Sequence, residues 1–100
     1  MAVSENYLKK IRISVRRSAS DVVDSEITDI IEECRADLQS VGVSKDKTDD
    51  ESDPLILGAV RCFTRWKFGL NNVDAAVNRD DYMQLRDELR KRRGYCISVT

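Results

Sequence analysis

Asp53-Pro54-Leu55-Ile56-Leu57-Gly58-Ala59-Val60-Arg61-Cys62-Phe63-Thr64-Arg65-Trp66-Lys67-Phe68-Gly69 reads as one helix at the centre of a small helical domain. Asp53 can cap the first free N–H groups, and Pro54 suits the first helical position, where its missing N–H is no loss. Gly69 can take the left-handed conformation that ends a helix. Between them Ile56, Ala59, Val60, Phe63 and Trp66 or Lys67 recur at the spacing of one helix face. Leu55, Leu57, Cys62 and Phe68 widen that face, which marks a helix wrapped by neighbours or shared with another subunit. Both Phe residues and the single Trp lie in this stretch. They are the expected core, with Trp66, Phe63 and Phe68 as candidates for a subunit interface.

Upstream, residues 20–42 predict a long amphipathic helix. Ser20 or Asp21 can cap it, and Asp21, Asp24 and Glu26 favour the positive end of its dipole. Val23, Ile27, Ile30, Ile31, Cys34, Leu38 and Val41 share one face. Asp29, Glu32, Glu33, Arg35, Asp37 and Gln39 form the other, expected to be wet. Gly42 ends the helix, which at 1.5 Å per residue is about 30 Å long. Residues 5–13, with Tyr7, Leu8 and Ile11, predict a short helix that must dock on the rest to be stable. Downstream, residues 74–93 predict a last helix with an apolar stripe of Val73, Ala76 or Val77, Tyr82, Leu85 and Leu89. The fold class is therefore all-α. It is a small bundle of three main helices plus a short N-terminal one over residues 1–94, with an extended tail at 95–100.

One hundred residues, 35% of them charged and 6% aromatic, make one domain with a thin aliphatic core. No apolar run approaches the roughly 20 residues of a membrane span, and the N-terminus lacks a signal peptide's apolar segment. The expectation is a protein made in a cytoplasm, with no membrane partner. Cys34, Cys62 and Cys96 are an odd, widely spaced set without a C-x-x-C, and there is no His. Neither a disulfide framework nor a zinc site is expected, and Cys34 and Cys62 read as core residues. The polar loop at 44–52 fails as a calcium loop, because counting from Asp46 puts Glu51 at the glycine position and Leu57 at the final glutamate position. It reads as a solvated loop. With no phosphate loop and no His base, no catalytic residue, metal or cofactor is expected.

Charge is unevenly placed. Residues 1–20 hold five bases against one acid, residues 21–53 twelve acids against three bases, and residues 54–100 nine bases against five acids. Such polarity suits head-to-tail packing of copies. The basic run Arg90, Lys91, Arg92 and Arg93 suggests a second reading, a small helical DNA-binding regulator. Against that reading stand the chain's isoelectric point of about 5.4 and the acids Asp80, Asp81, Asp87 and Glu88 on the same helix. After Gly94, Tyr95, Ile97 and Val99 alternate with Cys96, Ser98 and Thr100, which is strand periodicity. No other strand is apparent in the chain to pair with them, so the segment reads as either a frayed tail or a strand donated to a partner.

The layout resembles the head–tail connector, or head-completion adaptor, proteins of tailed bacteriophages, a family also described as DNA-packaging proteins. The likeness runs over about residues 5–90. It rests on Ile11-Arg12-Ile13-Ser14, the acidic start of the long helix, Val41-Gly42-Val43, Asp53-Pro54-Leu55-Ile56, Ala59-Val60, Phe68-Gly69, and Tyr82 with Leu85. Arg65, Trp66, Lys67 and the basic end of the last helix depart from it. The resemblance implies a structural virion protein at the head–tail interface, a cyclic ring of itself, dodecameric in the virion, beneath the portal. Its partners would be the portal protein and a tail or stopper protein. DNA would pass through its channel without sequence specificity. The tail is then expected to add as a strand to the portal, with Tyr95, Ile97 and Val99 in pockets and Arg90, Arg92 and Arg93 nearby.

Overall fold

A computed structural model describes residues 3–69 and 72–96. Among them are five helices: α1 (Glu5–Ser14), α2 (Asp21–Ser40), α3 (Lys45–Thr48), α4 (Pro54–Lys67) and α5 (Ala75–Lys91). The all-α bundle expected from the pattern is present. The starts are chemically specified. Ser4 accepts from the Tyr7 N–H, Ser20 from Val23, and Ser44 from Lys47, so each of α1, α2 and α3 opens on a serine cap. Asp53 accepts from both Leu55 and Ile56, and Pro54 occupies the first turn of α4. Gly42 and Gly69 sit at φ 104° and 86°, where a side chain would be strained, and turn the chain after α2 and α4. Arg16 reaches φ 57° in the turn between α1 and α2.

α4 pairs with α5 as an antiparallel hairpin, α2 lies against α4, and α1 covers both α2 and α4. The core lies between them. Tyr7 and Ile11 come from α1, Ile27, Ile31, Cys34 and Leu38 from α2, Ile56, Ala59, Val60 and Phe63 from α4, and Tyr82 and Leu89 from α5. Burying one such Leu or Ile side chain contributes about 1.5–3 kcal/mol.

Four expectations need correction. Arg35 is 5% exposed and faces inward, although its place among acids suggested a wet face. The segment at 44–52 is not simply a solvated loop: it contains α3, and Thr48 is buried. The α5 stripe begins late, since Val73 is 94% and Val77 62% exposed while Tyr82 and Leu89 are buried. The tail does have a strand partner within the chain, because Cys96 forms an antiparallel bridge with Val43.

Candidate functional site

The segment between α2 and α4 gathers contacts from both directions along the chain. Arg35, three-quarters of the way along α2, lies 3.5 Å from Glu51 and 3.9 Å from Asp49, and its guanidinium stands 5.6 Å from the centre of the Tyr7 ring. Two carboxylates and an aromatic face thus surround a charge that burial would otherwise make costly. Glu51 also accepts the Ser4 N–H at 2.9 Å, and the Ser4 hydroxyl donates to it. Burial works to raise the Glu51 pKa, but Ser4 and Arg35 outweigh it and hold the carboxyl below its usual value.

The tail docks two residues further on. The Ser44 N–H donates to the Tyr95 carbonyl at 2.7 Å, and the Tyr95 hydroxyl donates to Asp53 Oδ2 at 2.7 Å. The Lys47 ammonium stands 4.9 Å from the Tyr95 ring centre. The bond to Asp53 pushes the Tyr95 phenol pKa up, because ionising the ring would lose the donor and face a carboxylate. Of the residues expected to contact a partner, Tyr95 is therefore engaged within its own chain, and Ile97 and Val99 lie outside the described residues. Arg90, Arg92 and Arg93 are exposed. Arg90 shares Asp87 with Lys91. Arg92 and Arg93 make no ion pair among the described residues.

An aromatic cluster crosses the α4–α5 hairpin. Phe63 packs edge-on against Trp66 at 5.5 Å and against Tyr82 at 4.8 Å between ring centres. Tyr82 donates to Asp37 at 2.6 Å, and the Arg86 guanidinium reaches the same oxygen at 2.8 Å. Lys67 lies 4.2 Å over the Trp66 ring and 3.7 Å from Glu33. Phe63 and Phe68 are buried and serve the core, whereas Trp66 is half-buried. Trp66 borders an open hollow of about 480 Å³, shared with Ala36, Asp37, Met83 and Arg86.

A larger open hollow, about 1170 Å³, lies where the α1–α2 turn faces the start of α5. Val15, Val23, Phe68, Val73 and Val77 supply its apolar lining, and Arg16, Arg17 and Arg65, with the acids Glu26 and Asp74, its charge. Arg65 Nε donates to the Ser14 carbonyl at 3.2 Å, and Arg17 stands 5.6 Å from the Phe68 ring centre. These contacts tie the turn to α4 without filling the space over Val73 and Val77.

Burial pushes the Cys34 thiol up to about 12, so it remains protonated and behaves as a small apolar group. Among the described residues no cluster of three or more His, Cys, Asp or Glu is placed to hold a metal ion. No helix among them is long and apolar enough to cross a membrane. What the surfaces offer is shape, apolar contact and charge.

Sequence reasoning missed Arg35 and the docking of the tail. The signal for Arg35 was present, since it is the only base in a helix of acids and the acids Asp49, Asp50 and Glu51 follow about four helical turns' worth of residues later. Val43 carried no signal, because one bridging residue has no period. Compared with family models, curated proteins and solved structures, the chain matches none.

Proposed function

We propose that this chain is a structural assembly subunit, the head–tail connector that its sequence resembles. It would form a ring beneath the portal vertex, extend the DNA channel, and give a tail or stopper protein its attachment site. The observation that carries this reading is the uncovered apolar surface of the α4–α5 hairpin. Trp66 and Met83 border one hollow, and Val73 and Val77 border another around the start of α5. A subunit with apolar contact surfaces in two places can touch two neighbours at once, which a ring requires. The bundle supplies rigid faces and leaves those side chains for partners.

In this reading the portal contact runs through the tail. Tyr95 would anchor it to Asp53, and Ile97 and Val99 beyond would add to a portal strand, with Arg92 and Arg93 beside it. Light scattering tests the function directly, on the purified protein alone and then mixed with a portal ring. A ring-sized species, alone or on the portal, supports the connector. A monomer or dimer that ignores portal but shifts with duplex DNA in a salt-dependent way would overturn it in favour of the DNA-binding regulator. A tail-deleted chain (residues 95–100 removed) that still binds portal would remove the tail from the contact.

A further inference from the structure

We propose that the outward face of α1 docks on the outward crest of α2 in a second copy of this chain. The proposal rests on the assembly reading above and supplies its interface.

α2 neutralises its two flanks inside the chain and leaves its crest unpaired. On one flank Asp24 meets Arg12 at 2.9 Å. On the other, Glu33 meets Lys67 at 3.7 Å and Asp37 meets Arg86 at 2.8 Å. Between these flanks, directly opposite the buried Ile27, Ile31 and Cys34, stand Asp29 and Glu32, exposed and without an ion pair among the described residues. Val22 lies on the same crest, 79% exposed. The crest is thus an acidic stripe with one apolar residue at its start.

α1 presents the opposite surface. Tyr7 and Ile11 face inward, and Arg12 is used by Asp24. Outward stand Lys9 and Lys10, exposed and without an ion pair among the described residues, and Ile13, 65% exposed; the exposed Glu5 one turn before Lys9 leaves this face with a net positive charge. α1 has ten residues, and the stretch from Val22 to Glu32 rises by a similar length, about 15 Å for either. A basic helix face with one exposed isoleucine therefore meets an acidic face of equal length with one exposed valine.

Within one copy these faces point outward from different helices, so they can meet only between copies. Each copy uses both faces, which makes the contact heterologous and repeatable round a ring. Two short helices bury less than the roughly 1,200 Å² of a stable standalone complex. The contact is accordingly weak one at a time and depends on closure or on a template for strength. Its range is electrostatic, so it fades as salt rises.

Charge reversal tests it by sedimentation velocity on the full chain. The wild type is expected to associate with concentration at about 0.01 M salt and to be monomeric near 1 M, where the screening length is only about 3 Å. K9E/K10E alone and D29K/E32K alone are each expected to stay monomeric at low salt. A one-to-one mixture of the two, and a single chain carrying all four changes, are expected to recover association, because every α1–α2 contact is again between opposite charges. A wild type that stays monomeric at low salt overturns the proposal, and so does association that persists in the separate variants or fails to return in the combined ones. Portal co-sedimentation, run in parallel, separates the two readings. Portal binding combined with charge-insensitive association removes this interface and keeps the connector. Charge-tracking association without portal binding keeps the interface and removes the connector.

Discussion

Tyr95 donates its hydroxyl to one oxygen of Asp53 while the other oxygen caps the first turn of α4, so a single carboxylate holds both the tail and the start of the central helix. The two jobs can be separated. Tyr95→Phe removes only the tail bond and is expected to cost about 1 kcal/mol, the charge-assisted value reduced for partial exposure. Asp53→Ala removes cap and tail together and should cost about 2–3 kcal/mol. Urea unfolding of the two variants and the double variant gives the coupling. Strict additivity would mean that the bond contributes nothing.

Acid should loosen the segment between α2 and α4. The Glu51 pKa is lowered in the folded chain from an ordinary value of 4.5. Its contribution to stability is therefore complete above that value and is lost as pH falls through the lowered one. Glu51→Gln is expected to flatten the loss of stability below about pH 4.5 and to be less stable than wild type at pH 7. Paired denaturation curves at several pH values check this. Identical acid slopes in both proteins would place the proton uptake elsewhere.

Trp66 and Phe63 touch each other but should behave differently. Phe63 is 3% exposed, and Phe63→Ala is expected to cost about 3–5 kcal/mol, enough to unfold so small a domain. Trp66 is half-buried, so Trp66→Ala should cost about half as much and leave a folded monomer. Under the connector reading that monomer loses assembly. Circular dichroism reports the fold, and portal co-sedimentation reports the assembly. A folded Trp66→Ala protein that assembles normally would remove this residue from the interface.

Tyr7 offers a gain. Its hydroxyl is buried without a hydrogen-bond partner among the described residues, and burial pushes its pKa up to about 12. Tyr7→Phe keeps the ring against Arg35 and deletes the unsatisfied oxygen, so stability should hold or rise by about 1 kcal/mol. A loss of that size in urea unfolding would show that the hydroxyl has a partner in solution.

The helices were legible because their ends are written in local chemistry. Ser20, Asp53 with Pro54, Gly42 and Gly69 each act within a few residues of their own position, so no tertiary knowledge is needed to read them. Arg35 was misread because periodicity assigns a face but not what covers it: the segment at 49–51 crosses α2 on a side the pattern left for water. Val73 and Val77 failed for the converse reason. Their spacing suits a core, but the hollow above them holds no helix to complete it. The uncovered face around Trp66 and Met83 was half legible, since the excess width of the α4 pattern signalled more apolar surface than one bundle covers.

The segment from α2 to α4 also has a place in time. Glu51 is joined to Ser4 across 47 residues and Asp53 to Tyr95 across 42, so these contacts close long loops in the domain's polar framework. Loop-closure entropy delays such contacts, whereas the α4–α5 hairpin and the α2 caps form from near neighbours. The segment should then consolidate after the folding barrier has been crossed. Weakening it would leave the folding rate nearly unchanged and speed unfolding, which makes the junction at Glu51 and Asp53 the setting for how long the native state lasts.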